Sequence, residues 1–547
     1  MNRNGADAIV DGLVAHGVDT VFALPGGQLD HLFDAIYRRK DGPRIIQTRH
    51  EQGAAYMAYG YARSTGKVGC FAVVPGPGLL NTGAALCTAW ANYAPVLAIS
   101  GQVPSGQIDR GYGELHEIPD QLGMIRHITK WAKRIERVEE TEAVMAEAFA
   151  QLTSGAPRPV EIEMSMDVMG QSQTGPSIPP HSSRREAPAA DSNALSAAIE
   201  ALANARKPLI YIGSGAFGAG EVITRLAELL QAPVASFRAG KGIVAGSHPL
   251  AVNHPLGHRL WGEADVVLAL GTRLHWPLVM WGKDEQLTLI RVDIDSEQID
   301  RICVPDIGIH ADAGQVAAAL LAGLQTRDHQ AQNREADIAD WRSEMDTRIR
   351  HEVAPQMAYL DAIRAALPAD GFFVDEVTQV GFASWYGFSV EQERQHVSAG
   401  YQGTLGFGYA TALGVVAGNP GKKVVQISGD GGFLFTMQEM ATAVQYQLPL
   451  VSIVFNDHRF TNVQRQQQEW FDGRVHCSDL HNPDFKALAT SFGMLGMRVD
   501  TPDALQDAIQ HAFAAGGPAL IEVEVNEFFP TPWPFLMLPQ NRKAVCT

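Results

Sequence analysis

The chain has 547 residues, room for roughly three or four folded units at about 150 residues each, which excludes a disulfide-stapled miniprotein. Hydrophobic residues make up 46% and charged residues 19%, as in an ordinary globular chain and unlike a disordered one. With 43 Lys and Arg against 60 Asp and Glu the formal charge is −17, so neither nucleic acid nor an anionic membrane surface is expected as the main partner.

The first residues, MNRNGADAIVDGLVAHG, read as an amphipathic helix carrying acids, without the basic start and apolar core of a signal peptide. Short apolar runs follow at TVFAL (20–24), RIIQT (44–48), GCFAVV (69–74) and VLAIS (96–100), with the length of buried strands. The stretches GQLDHLFDAIYRR and EQGAAYMAYGYARS between them have helical spacing. That alternation predicts a parallel sheet with helices on both faces, running to about PRPVEIEM (157–164). QSQTGPSIPPHSSRREAPAADS (171–192) is rich in Pro and Ser and reads as a linker. A second α/β run has PLIYIG (208–213), PVASF (233–237), DVVLALG (265–271) and LIRVDID (289–295), and ends in a polar stretch (326–350). A third has GFFVDE (371–376), KVVQISGDGG (423–432), LVSIVFND (450–457) and ALIEVEV (519–525). The expected units are therefore 1–170, 193–340 and 350–530, with an aromatic, Pro-rich tail at 531–547 and no fixed-period repeat. No apolar run reaches the ~18 residues of a membrane span, and the expected location is the cytoplasm. Five scattered cysteines with no CxxC pair argue against both a secreted disulfide framework and a structural zinc.

Chemistry concentrates in the third run. Gly429-Asp430-Gly431-Gly432 closes one strand, and Asn456 closes the next strand after a helix. Both residues then sit at carboxyl ends of neighbouring parallel strands, where open α/β sheets bind ligands. A carboxylate and an amide oxygen placed there suit Mg²⁺, and the glycines let backbone N–H groups approach phosphate. In the first run Glu51 follows the strand RIIQT and opens an Ala- and Gly-rich helix. A carboxylate among small apolar residues can occupy a dry pocket, although an acid also simply favours a helix N-terminus.

Taken together, PGG (25–27), RHEQGAAYMAYGYAR (49–63), PGPGLLNTGAAL (75–86), ITKWA (128–132), GTLGFGYATALG (403–414), SGDGGF (428–433) and NPDF (482–485) make the chain resemble the thiamine-diphosphate enzymes of the acetolactate synthase, pyruvate oxidase and benzaldehyde lyase group over essentially its whole length. The resemblance implies an α/β protein of three doubly wound parallel-sheet domains: pyrimidine-binding, central Rossmann-like, and diphosphate-binding. It implies a homodimer or homotetramer whose active site is shared between subunits, holding thiamine diphosphate and Mg²⁺.

It also implies roles residue by residue. Asp430, Asn456 and the His458 carbonyl would ligate Mg²⁺. Gly431, Gly432, Thr378 and Gln379 would contact the diphosphate, Gly403, Gly429 and Phe460 would also bind the cofactor, Phe460 at or beside the substrate side, and Leu405 would lie under the bent cofactor. Gly26, Pro75 and Asn81 would line the pyrimidine side. Glu51 would hydrogen-bond a pyrimidine ring nitrogen and favour the imino tautomer that takes the thiazolium C2 proton. Gln28, His31, His116, Gln121, Val380, Thr461 and Gln464 fall where relatives place substrate-side groups, or beside them; for His31 the simpler reading is packing on its own helix.

The implied substrate is a 2-oxo acid or 2-hydroxyketone, which is decarboxylated, ligated or cleaved. Gly213-Ser214-Gly215-Ala216-Phe217-Gly218 fits a dinucleotide fingerprint, but the next strand ends at Arg238 without the expected acid. The family's flavin-side segment corresponds here to Arg273-Leu274-His275-Trp276-Pro277, with Pro277 in place of an arginine that receives the acceptor acid. FAD is therefore not expected. The remaining alternatives are a true FAD-containing acetolactate synthase, a C–C lyase or hydrolase, and a non-catalytic cofactor-binding protein. His476, Cys477, Asp479 and His481 match no zinc spacing and read as a surface loop.

Overall fold

A computed structural model describes residues 3–173, 186–328 and 332–543. The expected linker lies partly, and Cys546 wholly, outside these residues. Three six-stranded sheets form, and every pairing within them is parallel. The first runs, in spatial order, Arg44–Gln47, Thr20–Ala23, Gly69–Val73, Val96–Gln102, Val160–Ser165, Trp131–Ile135. The last runs His396–Val397, Phe372–Val374, Val424–Gly429, Leu450–Asn456, Ala519–Glu524, Leu495–Val499. Numbered within each unit, both have the order 2-1-3-4-6-5, a structural repeat that the sequence does not display. The central sheet runs Ala251–Val252, Val234–Ser236, Pro208–Ile212, Val266–Leu270, Thr288–Asp293, Ile307–His310, the order 3-2-1-4-5-6. In such sheets the connections leave in opposite directions on either side of one point, and the crevice opened there is where ligands bind.

The first and third units share one apolar core. Tyr56, Tyr59, Phe407, Tyr409 and Phe433 have no exposed surface and belong to a single cluster. The helix Glu51–Thr65 lies directly on the helix Phe407–Gly418. A Cβ at Gly60 would fall 2.0 Å from the Thr411 carbonyl oxygen, and one at Gly414 would fall 1.9 Å from that of Met57. Only glycine permits so close an approach, and the residues at the N-terminal ends of these two helices are thereby held in fixed relation.

Among the described residues no helix is long and apolar enough to cross a membrane. Cys303 is disulfide-bonded, a departure from the reading of the scattered cysteines, whereas Cys70, Cys87 and Cys477 are free.

Candidate functional site

The switch point of the first sheet lies between Thr20–Ala23 and Gly69–Val73, and residues just beyond these strands form one half-site. Glu51 is largely buried and accepts a hydrogen bond from Asn81 Nδ2 at 2.9 Å. His50 caps the Glu51 helix, its ring accepting from the Gln52 N–H. Gly26 and Gly78 both press on Val74, and Gly101 leaves room for Gln28 and Pro75. Gly76 takes φ +58 against the His116 carbonyl. Gln28 donates to the Leu115 carbonyl, while its Oε1 is buried without a partner; His116 Nδ1 is in the same condition. These two unsatisfied atoms lie beside the Pro75-Gly76 turn, and buried polar atoms left without a partner are uncommon.

Gln121 and His31, also expected on the substrate side, lie in this half. Gln121 accepts from the Gly76 N–H at 2.7 Å and donates to Glu163 at 2.7 Å, so its amide fixes the turn. The His31 ring lies on the surface against Gly170.

The third sheet has its switch point between Phe372–Val374 and Val424–Gly429. Gly429 pairs with Phe455 in the ladder, so Asp430 and Asn456 leave adjacent strands at the same level. Asp430 Oδ2 and Asn456 Oδ1 both accept from Asn482 Nδ2, at 2.6 and 2.8 Å. Two hard oxygens thus converge on one point. The Asn456 amide is turned that way because its Nδ2 donates to buried Glu522, which in turn is bonded to Arg498. Burial, aided by the Asp457 carboxylate, pushes Asp430 up to about 6. The donor set fits Mg²⁺, which takes oxygen ligands. The His458 carbonyl accepts from Leu480 N–H, which leaves it one lone pair.

The glycines of this half are read differently in three dimensions. A Cβ at Gly431 would strike the Phe460 ring at 2.3 Å, and one at Gly432 would strike Glu376 Oε1 at 2.1 Å. Glu376 is buried, accepts from Gly406, Gly408 and Ser428, and is pushed up to about 7 by burial. It clamps the turn between Gly403 (φ +55) and Gly406 (φ +78). Leu405 on that turn is only half-buried and joins no core cluster, unlike an ordinary core leucine.

Thr378 begins the helix Gln379–Gly387, and Gln379 accepts from Arg465 at 2.9 Å. Val380 has no exposed surface and belongs to the apolar core. Thr461 bonds Asp457, and Gln464 holds Asp479. The supposed surface loop at 476–481 is in part built in. Ser478 is fully buried and its carbonyl takes the Phe460 N–H. Among the described residues no group of three His, Cys, Asp or Glu could hold a metal.

Side chains of the two half-sites are not joined: among the described residues no hydrogen bond or ion pair links Glu51 or Asn81 to Asp430 or Asn456. Large apolar groups stand exposed at both, Leu80 and Leu115 at the first, Tyr401 and Phe435 at the second.

A third crevice, at the central switch point, is a cavity of about 1350 Å³ that extends to Gly403 and Arg465. Gly213, Arg238, Arg273, Trp276 and Pro277 line it. So does Asp293, pushed up to about 6 by burial, an acid placed one strand beyond the nearest central strands and therefore missed from sequence. Asn482, Glu376, Glu522 and Arg465 were missed as well; NPDF, quoted only as a motif, was the one signal for Asn482.

Three family models match the chain: the thiamine pyrophosphate enzyme N-terminal TPP binding domain at residues 3–124, the central domain at 195–320, and the C-terminal TPP binding domain at 376–523. Among curated proteins, a probable 2-ketoarginine decarboxylase of Pseudomonas aeruginosa is 34% identical over 523 residues, covering 94% of this chain and 93% of that protein. An acetolactate synthase of Bacillus subtilis is 32% identical over 560 residues (96% and 94%), and one of Arthrospira platensis is 31% identical over 551 (95% and 94%).

Proposed function

This chain belongs to the thiamine pyrophosphate enzyme family, and on that premise we propose that it uses thiamine diphosphate and Mg²⁺ to act on a 2-oxo acid or 2-hydroxyketone. The observation that carries the metal and diphosphate assignment is the convergence of Asp430 Oδ2 and Asn456 Oδ1 on one point. Asn482 Nδ2 stands at that point and would give way to the cation. Gly431, Gly432, Thr378 and Gln379 border it and would face the diphosphate, with Leu405 on its clamped turn as the apolar support.

When bound, the cofactor supplies a nucleophilic carbon and an electron sink next to a carbonyl. Glu51 holds and returns a proton at a ring nitrogen, its carboxylate aimed by Asn81 in a largely water-free place. Gln28 and His116, with their unpartnered atoms, orient the substrate's polar groups. The separation of the two half-sites within one chain, each rimmed by exposed apolar side chains, supports a homodimer or homotetramer in which one copy completes the other. The domain limits 1–170, 193–340 and 350–530 and a cytoplasmic location belong to the same reading.

Decarboxylation, or ligation to a neutral aldehyde, is favoured over acetolactate synthesis. A second 2-oxo acid brings a carboxylate that needs a cation in a dry site, and the family resemblance puts Pro277 at the place of the arginine that would supply it. The likeness to a 2-ketoarginine decarboxylase makes a guanidino 2-oxo acid the first substrate to try. The test is product analysis with thiamine diphosphate, Mg²⁺ and a panel of 2-oxo acids and 2-hydroxyketones. Cofactor-dependent release of carbon dioxide from at least one 2-oxo acid is expected. Efficient acetolactate formation from pyruvate alone would replace this reading with acetolactate synthase, and turnover of hydroxyketones alone would replace it with a lyase.

A further inference from the structure

A carboxylate from the third unit sits beneath the turn that presents Glu51. Glu439 has no exposed surface. Its Oε1 accepts from the backbone N–H groups of Arg49 at 3.1 Å and His50 at 3.0 Å, and its Oε2 from Arg49 at 3.1 Å and from Thr442 Oγ1 at 2.6 Å. These two N–H groups belong to the residues immediately before Glu51. The contact is so close that a Cβ at Gly53 would lie 2.3 Å from Glu439 Oε1.

Ordinary domain packing does not require this arrangement. An apolar side chain would fill the space without the cost of desolvating an acid, and burial raises Glu439 to about 7. What an apolar residue cannot do is accept from two successive N–H groups at a helix start, where the backbone presents donors in excess. Those bonds set the peptide planes on either side of Arg49, in the turn that leads into Glu51, and hence bear on the direction in which the Glu51 side chain leaves the helix. The stretch reaching Glu439 also begins at the metal-side turn: Phe435 N–H bonds the Gly432 carbonyl, Thr436 Oγ1 bonds the Gly406 carbonyl, and Glu439 N–H bonds the Thr436 carbonyl.

We propose that Glu439 is a positioning residue for Glu51, reaching across from the diphosphate-side unit of the same chain to fix the turn from which the proton-relay acid projects. The proposal rests on the cofactor reading above for its catalytic meaning, but the clamp itself does not. The test uses the full-length protein with Glu439→Gln and Glu439→Leu. In the cofactor-free protein, backbone hydrogen exchange at Arg49 and His50 is expected to speed up by roughly tenfold in the Gln variant, where one charged acceptor is lost, and further in the Leu variant. With thiamine diphosphate and Mg²⁺ added, exchange of the cofactor C2 proton is expected to slow by about tenfold in Gln and about a hundredfold in Leu, the scale of an ångström's misplacement. Cofactor affinity should be unchanged, because Glu439 bonds Arg49, His50 and Thr442 and none of the residues assigned to the diphosphate or the cation.

A merely structural role would lower affinity and C2 exchange together, and that result overturns the proposal. So does unchanged amide exchange at Arg49 and His50 in Glu439→Gln, which remains readable if Glu439→Leu does not fold. If the wild-type protein itself neither binds thiamine diphosphate nor speeds its C2 exchange, the cofactor reading fails, whatever the amide exchange shows.

Discussion

Gly414 and Gly60 set the distance between the two helices on which both half-sites depend, and Gly414→Ala tests that dependence. A methyl at Gly414 would stand 1.9 Å from the Met57 carbonyl oxygen and 2.6 Å from its carbon, where an ordinary contact is about 3.5 Å. The obstacle is the backbone of a helix whose residues Tyr56 to Tyr59 are buried, so no rotamer change relieves it. The helices must part by more than an ångström or tilt. Overpacking of this kind costs about 1–3 kcal/mol, and a backbone clash belongs at the upper end. The better helix propensity of Ala returns up to about 1 kcal/mol, leaving a loss near 2 kcal/mol, or a lowering of the thermal midpoint by about 4–8 °C. Function should suffer more than stability. Glu51 and Leu405 lie at the starts of the paired helices, and displacement by about an ångström costs on the order of a hundredfold in rate. Calorimetry and C2–H exchange of the bound cofactor measure the two effects. Gly83→Ala, on a helix where the added methyl meets nothing within 4 Å, is the control and should match or exceed wild-type stability. A Gly414→Ala protein within about 0.5 kcal/mol of wild type and fully active would refute the reasoning.

Asp430→Ala should abolish Mg²⁺-supported thiamine diphosphate binding in calorimetry, because it removes the charged oxygen of the convergent pair; unchanged affinity would displace the site. Glu51→Gln should leave the fold intact and slow C2–H exchange by at least about a hundredfold, the usual scale for a positioned proton-transfer group. In the cofactor-free protein Glu376, at about 7, keeps its proton more tightly than an unfolded carboxyl near 4.5. Its contribution to stability is therefore fully present below about 4.5 and is lost as pH rises through about 7. Glu376→Gln should flatten that decline, and an unchanged slope in pH-dependent unfolding would show that Glu376 ionises freely. The purified protein is expected to lack a tightly held flavin, since the strand Val234–Ser236 is followed by Phe237 and Arg238 rather than an acid, and by the family resemblance Pro277 takes the place of an arginine; one flavin per chain in the absorbance spectrum would restore the acetolactate synthase alternative.

The sequence by itself determined the architecture and the identity of the chemical groups. Parallel strands buried on both faces must be continuous apolar runs, and crossovers place glycine and acid at their carboxyl ends, so GDGG, Asn456 and RHE are legible as candidate site elements from spacing and resemblance. Tertiary structure alone decided what aims them. Glu376 meets Gly406 across a turn, Glu522 meets Asn456 across neighbouring strands, and Glu439 meets Arg49 from 390 residues away in the chain. No local periodicity encodes such pairs, because they arise only when the units dock. Docking also set surroundings that composition left open. Val380 went to the core, His31 to the surface, Gln121 to a backbone bond, and Gly431 and Gly432 to close contact with Phe460 and Glu376. A side chain's type is local information, whereas the direction in which it points is set by whatever the rest of the chain packs against it.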